Sequence, residues 1–394
     1  MMKLDSIFFP QRSIAELHDH LMNEVGGGKL GKQAAYSVGV GRSLGVKLDE
    51  DYAFRLSSTD KGIELDRRAD EAKVILQTDR ETWENLASES WSMMGLILQK
   101  KISLVAGQFN HVAAWEAPLQ ALYNSRPIFS NGDIPNEISH EFYYDSDQRK
   151  MRNSLSKLGF ILVKNVFGAD EIELMSKEVE ERKSLASVED RRSWWATDKN
   201  GSEHCCRVTY LNIGSELFSQ LPNDNRLLNL ASLAEEKLLP TPDHGDGISV
   251  VMKVPEIEHG LSDLPWHRDC GMGGHPLICP GLNIGLQLDE ANEESGQLMF
   301  LPGSHRFSGG LDVAQVSDKA VPISASPGDV TVHYGHTLHV APPPTKSGKC
   351  RRTVYVSFHK AEYLDALPEG KGYNDVLFNH GDGRVRPPEK PATT

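Results

Sequence analysis

Three times the chain sets a histidine two residues before an aspartate: His244-Gly245-Asp246, His267-Arg268-Asp269 and His380-Gly381-Asp382. In a strand, residues i and i+2 share a face, so H-x-D at a strand end puts an imidazole beside a carboxylate. That pair is two-thirds of a two-histidine, one-carboxylate triad, the donor set that holds Fe(II) and leaves coordination positions open for chemistry. Spacing alone does not choose among the three. His380-Gly381-Asp382 lies in a polar tail with no histidine after it and reads as a solvated turn. His244-Gly245-Asp246 is followed by Gly247, leads into "ISVVMKV" and reads as the turn that starts a strand. His267-Arg268-Asp269 follows Pro265-Trp266, precedes a glycine-rich turn and has several strand-like segments after it.

One of those segments, "TVHYGHTLHVAPPPTKSGKCRRTVYVSF", carries His333, His336 and His339 and then Arg351-Arg352. Any of the three imidazoles could complete a triad begun by His267 and Asp269. A 2-oxo acid bound to such a metal through its keto and carboxylate oxygens leaves its far carboxylate to be held. A guanidinium suits that task, because its planar fork matches two oxygens and keeps its charge. Neighbouring strand residues face opposite ways, so only one of Arg351 and Arg352 can face the pocket.

The elements that must position these residues come from the remaining pattern. Short β-prone runs in "AAYSVGVGRSLGVKL", "YAFRLSS", "GIELDRR" and "AKVILQTD" are followed by "TWENLASESWSMMGLILQKKISLVAG". There Leu86, Trp91, Met94, Leu98 and Ile102 recur at helical steps, with Gly95 as a possible break. A further helix is expected over "FNHVAAWEAPLQALY", and the turn-rich, twice proline-interrupted residues 124–141 read as a linker. Beyond it come the strand "GFILVKNVF", a helix over "GADEIELMSKEVEERKSLA", and then mostly strands: "ISVVMKV", "LNIGLQL", "GQLMFLPGS", "GDVTVHY" and "RTVYVSF". Many short strands between Gly/Pro turns point to a sandwich or barrel.

At 394 residues there is room for two domains, and 39% hydrophobic with 25% charged residues is ordinary for a globular chain. A formal charge of −13 argues against nucleic acid or an anionic membrane surface as main partner. The cysteines Cys205, Cys206, Cys270, Cys279 and Cys350 form no C-x-x-C pair, which fits reduced thiols and a cytoplasmic location. No stretch reaches the roughly 18 apolar residues of a membrane span, and the N-terminal run is interrupted by Pro10, Arg12 and Glu16 before it resembles a signal peptide.

In order along the chain, "GFILVKNVFGADEIELMSKEV", "WHRD", "EESGQLMFLPGSH" and "PGDVTVHYGHTLHVAPPP" together resemble the phytanoyl-CoA dioxygenase-like branch of the Fe(II)/2-oxoglutarate-dependent oxygenases. Ser295 stands where that family's N-G-x-L-x-x-x-P-G-S-H pattern has Asn. The resemblance implies an α+β chain whose C-terminal domain is a double-stranded β-helix, or jelly roll. It also implies iron ligands His267, Asp269 and His339, the last lying ten residues after Asp329, with His336 as the fallback and His333 as a pocket or structural residue. Arg351 matches the residue that holds the distal carboxylate of 2-oxoglutarate, and Lys253 and Met252 fall in a region that often faces this cosubstrate. The implied cofactors are Fe(2+), 2-oxoglutarate and O2, with ascorbate as a reductant. Two departures bear on the cosubstrate pocket: Gly285 where some relatives carry an aromatic, and Ala341 where a small hydroxyl residue is frequent. Halogenating relatives replace the carboxylate by a small residue, so Asp269 implies oxygenation or desaturation instead of chlorination.

The N-terminal region resembles a sterol-carrier-protein-2-like domain, which implies either an apolar ligand tunnel or, more plainly, a core filled by Trp91, Met93, Met94 and Leu96. The expected division is 1–128 for that domain, 129–141 for the linker and 142–394 for the oxygenase domain. A substrate lid is expected over 189–211, where Trp194 and Trp195 could pack an apolar ligand and Arg191, Arg192 and Arg207 could meet an acid or phosphate. The implied partner is a hydrophobic small molecule such as a lipid or terpenoid, oxidised with release of succinate and CO2. The rival reading is a non-catalytic lipid carrier with a degenerate jelly roll.

Overall fold

The computed structural model describes residues 12–361 except 50–51, 90–92, 94–95, 97–99, 127, 129–133, 136–137, 191, 243–245, 261–265, 270–280, 307–316 and 346–347. The chain divides into two compact units, one built mainly from residues 1–133 and the other from residue 134 onward.

The first unit is a five-stranded sheet of β1 (Ser43–Leu48), β2 (Tyr52–Thr59), β3 (Gly62–Asp66), β4 (Val74–Thr78) and β5 (Ser103–Ala106), in the order β3-β2-β1-β4-β5. Leu44, Val46 and Leu48 of the central strand alternate into a core with Phe54, Leu56, Leu76, Trp83 and Trp115. "AAYSV", expected as strand, is instead the end of a helix, Lys29–Val38. Gly31, Ala34, Ala35 and Val38 form one buried helical face, and Gly39 stops the helix at φ 96°. "SLVA", expected to continue a helix, forms β5. The helix Phe109–Tyr123 covers the expected segment. Met93 and Leu96 are buried in the core beside Trp83 and Trp115, whereas Trp91, Met94, Gly95 and Leu98 lie outside the described residues.

The second unit carries β6 (Glu141–Tyr143), β7 (Phe160–Lys164), β8 (Ser193–Asp198), β9 (Glu203–Val208), β10 (Leu239–Pro240), β11 (Ser249–Lys253), β12 (Ile257–Gly260) and β13 (Leu282–Gln287). These are followed by β14 (Met299–Phe300), β15 (Val321–Pro322), β16 (Val330–Tyr334), β17 (His339–Val340) and β18 (Arg351–His359). Ten of them form one sheet, β12-β8-β9-β11-β18-β13-β16-β7-β6 with β10 beside β18, and the small sheet β15-β14-β17 stands against it. Rings close the gap between the two: Phe160 of β7 stacks on Phe300 of β14 with centroids 4.6 Å apart, and Phe300 meets His333 of β16 at 5.0 Å.

Period-2 alternation divides the large sheet sharply. One face presents Val250, Met252, Ile284, Leu286, Val330, Val332, Val354 and Val356 to an apolar core shared with Ile172, Met175 and Val179 of the helix Ala169–Leu185. The interleaved residues are polar: Ser249 and Lys253 on β11, Asn283 and Gln287 on β13, Thr331 and His333 on β16, and Arg351 and Thr353 on β18. All eight except Asn283 are buried. A buried polar face of this kind is costly unless its groups find partners, and here Lys253, Thr331, Arg351 and Thr353 each donate within the protein.

Candidate metal centre

Backbone pairing brings the first two candidate ligands to the third. His267 and His339 form an antiparallel bridge, each amide donating to the other's carbonyl at 3.0 Å, and the Asp269 amide donates to the Gly335 carbonyl at 2.8 Å. Their side chains converge: one donor atom from each of His267, Asp269 and His339 lies within 4.8 Å of the others. Asp269 Oδ1 stands 3.5 Å from His267 Nε2 and 3.6 Å from His339 Nε2, so three donors surround one small volume. His336, the fallback, is buried but does not belong to this group.

The protonation states suit a cation. The Nδ1 of His339 lies 2.8 Å from the Thr337 carbonyl, so that nitrogen carries the proton and Nε2 keeps a free lone pair. Burial pushes the His339 imidazole down to about 3. For Asp269, burial opposes ionisation, but hydrogen bonds from His267 and His333 help hold the carboxyl well below the usual range. A neutral imidazole and an ionised carboxylate are the forms a divalent metal binds, and this donor set fits Fe(II).

Two further residues fix the carboxylate. Asn283 donates from Nδ2 to Asp269 Oδ2 at 2.6 Å, while its own Oδ1 accepts from Ser357 at 2.7 Å, which sets the amide orientation. His333 Nε2 lies 3.4 Å from the same Oδ2. With Oδ2 engaged, Oδ1 is left for a metal, and His333 takes a supporting place instead of a ligand position. Asn283 was not anticipated from the sequence. Its signal was visible in "LNIGLQL", where Asn283, Gly285 and Gln287 interrupt an otherwise apolar strand at every second position. Asn283→Ala is expected to weaken metal binding about 10- to 100-fold, the usual effect of removing a residue that orients a ligand. Competition titration with a chromophoric chelator measures it, and unchanged affinity would show that Oδ2 needs no anchor.

Arg351 and Arg352 separate as strand parity requires. Arg352 lies on the helix-packed side, its Nε 2.7 Å from Asp289 Oδ2 and its Nη1 3.0 Å from Glu180 Oε1. Arg351 is buried on the site face, donating to Thr353 Oγ1 at 2.7 Å, the Gly296 carbonyl at 2.9 Å and the Ser295 carbonyl at 3.4 Å. Among the described residues no carboxylate forms an ion pair with it. Lys253, directly opposite Arg351 in the β11–β18 register, donates from Nζ to the Ala341 carbonyl at 2.7 Å.

Several expected site residues are placed differently. Met252, one residue from Lys253, points to the opposite, helix-packed core and cannot meet a cosubstrate on the Arg351 face. The expected lid is no loop: residues 193–208 form the β8–β9 hairpin within the large sheet. Trp195 packs against the apolar helix side, donating from Nε1 to Ser193 Oγ at 2.7 Å. Trp194 is buried with the Arg207 guanidinium 4.4 Å over its ring. Arg207 also pairs with Asp246, so its charge is already matched inside the protein and an acid or phosphate is not needed to neutralise it. Arg191, His244 and His380 lie outside the described residues.

Comparison with known proteins gives the family. The sequence profile of Phytanoyl-CoA dioxygenase (PhyH) matches residues 155–353, just over half of the 394 residues. An ectoine dioxygenase from Bordetella bronchiseptica is 26% identical over 194 residues, 48% of this chain and 61% of the relative. The chain thus spans less than two thirds of that relative's length. Dioxygenase cdmD from Talaromyces verruculosus is 34% identical over 83 residues, 21% of this chain and 27% of its own. Among solved structures, EctD from S. alaskensis with bound Fe has a TM-score of 0.48 at 18% identity, covering 66% of this chain and 94% of EctD. AviO1 from Streptomyces viridochromogenes Tue57 has a TM-score of 0.44 at 25% identity, covering 56% and 97%. With the matched segment running from the helix before β7 into β18, the chain belongs to the phytanoyl-CoA dioxygenase (PhyH) family.

Proposed function

We propose that the chain is an Fe(II)- and 2-oxoglutarate-dependent dioxygenase that oxidises an unactivated C–H bond of a hydrophobic small molecule, most simply by hydroxylation. The balance is substrate R–H, 2-oxoglutarate and O2 going to R–OH, succinate and CO2. One observation carries the reading: a buried guanidinium, Arg351, shares the site face with the triad, and no carboxylate among the described residues pairs with it. A buried cation of that kind calls for an anion. Lys253 lies directly across the ladder from Arg351, its Nζ donating to the Ala341 carbonyl at 2.7 Å.

Bound at the triad, Fe(II) would supply the redox chemistry that couples 2-oxo acid decarboxylation to C–H oxidation. The chain's own residues do the rest. His267, Asp269 and His339 each bring one donor atom to within 4.8 Å of the other two. Asn283 and His333 hold the carboxylate in one orientation, and Arg351 with Lys253 receives the distal end of the dianion. Because Asp269 occupies the carboxylate position, the reading favours oxygenation or desaturation over halide transfer, with ascorbate as a maintaining reductant.

Protein supplied with Fe(II), O2 and 2-oxoglutarate is expected to release succinate even without its substrate, by uncoupled turnover, and to stop when either iron or 2-oxoglutarate is omitted. Product formation independent of 2-oxoglutarate would overturn the assignment.

The sterol-carrier reading of the N-terminal unit is a separate proposal, supported by its five-stranded sheet and flanking helices. Met93 and Leu96 already fill its core, so it rests on a ligand being found. Absence of binding by a fluorescent fatty acid would remove it.

A further inference from the structure

Phe300 of β14 stands directly opposite His339 of β17 in the antiparallel register. Residues opposed in this way send their side chains to one face, and the two ring centroids lie 5.6 Å apart. The Phe300 ring also meets the His333 imidazole at 5.0 Å and stacks on Phe160 at 4.6 Å, its plane 13° from that of Phe160. His339 in turn meets His333 at 5.1 Å and His267 at 4.3 Å. The rings form one continuous cluster, fed by β7 and β16 of the large sheet and by β14 and β17 of the small one. Both phenyl rings are buried, so the imidazoles of His333 and His339 are backed by hydrocarbon.

Hydrogen bonds alone leave the orientation of these two imidazoles incompletely fixed. His339 Nδ1 has the Thr337 carbonyl at 2.8 Å, which sets one direction in the ring but lets its plane rock about that line. His333 Nε2 lies 3.4 Å from Asp269 Oδ2, a long contact, and among the described residues its Nδ1 has no hydrogen-bond partner. A flat ring against each imidazole supplies the missing restraint, because aromatic pairs prefer particular separations and tilts that an aliphatic side chain does not impose. Phe300 touches both imidazoles, and Phe160, stacked on it, keeps its plane in place.

We propose that Phe300 is a positioning residue for the metal centre: its ring, braced by Phe160, sets the tilt of His339 and holds His333 against Asp269. The donor atoms are then in place before a metal arrives, and binding does not have to order them.

The proposal rests on the reading of His267, Asp269 and His339 as a metal site, and its test separates the two. The intact chain is titrated with Co(II), whose visible bands respond to the arrangement of its nitrogen and oxygen donors. Phe300→Leu keeps an apolar side chain but removes the flat face. The expected result is a shift of the Co(II) bands with about tenfold weaker binding, the lower end of what residues that orient ligands contribute. Phe160→Leu leaves Phe300 in contact with the imidazoles but unbraced, and is expected to move the bands the same way to a smaller extent. It carries the test if Phe300→Leu does not fold. A merely structural role would lower the unfolding temperature of the metal-free chain and leave the bands where they are. Wild-type Co(II) spectra and affinity in the folded variants would therefore overturn the role of Phe300 while leaving the metal site standing. Failure of the wild-type chain to bind Co(II) would overturn both.

Discussion

Asp269→Ala is expected to abolish succinate release and to reduce metal affinity by more than about 100-fold, the upper end of what a supporting residue alone contributes. Asp269 is the one anionic donor in the triad, and its Oδ1 lies 3.5 Å from His267 Nε2 and 3.6 Å from His339 Nε2. Without it, a dication would face imidazoles only: His267, His339 and, behind them, His333. The freed Asn283 amide would keep Ser357 but lose its second partner. Equilibrium metal binding and succinate release are the two measurements. Thermal unfolding of the metal-free variant distinguishes loss of a ligand from loss of the fold. Retained iron binding with retained turnover would mean that the three side chains converge for structural reasons alone.

The part of this site that was legible in the sequence follows from strand parity. H-x-D announces two donors on one face, and Arg351-Arg352 announces that one cation faces in and one out. Arg352 bound to Asp289 and Glu180 is the outward one. Parity did not separate His333 from His339, because both turn toward Asp269 and only position decides which reaches Oδ1 and which Oδ2. The Met252 expectation neglected the same rule that resolved the arginines, since Lys253 and Met252 cannot share a face. The β8–β9 hairpin was legible and overlooked: "TDKNGSE" holds an Asn-Gly pair, and Gly201 turns at φ 81° between two paired strands. Its two tryptophans suggested a binding lid, although bulky aromatic residues are also strand formers. The Lys29–Val38 helix reads as strand only through Tyr36 and Val38, whose preference for strands is set against the helix-forming Ala34 and Ala35. Its stability comes from a buried face of small residues against the N-terminal sheet, a tertiary effect.

Arg351→Met should raise the concentration of 2-oxoglutarate needed for half-maximal turnover by roughly 150- to 5000-fold, corresponding to the 3–5 kcal/mol typical of removing one partner of a buried ion pair. The size of the effect follows from burial. The guanidinium is held by Thr353 Oγ1 and by the Gly296 and Ser295 carbonyls, so it is fixed in place before any ligand arrives. Preorganisation of this kind lets the full charge interaction appear as affinity. Methionine preserves much of the volume and removes the fork. Arg351→Lys keeps the charge but cannot reproduce two parallel donors, and is expected to recover only part of the loss. Iron affinity measured without cosubstrate should be unaffected in both variants, because Arg351 is not among the residues that surround the metal position. If the Met variant turns over with an unaltered 2-oxoglutarate requirement, the anion is held elsewhere. Lys253, facing Arg351 across the ladder, is then the residue to replace next, since it is the other buried cation on this face among the described residues.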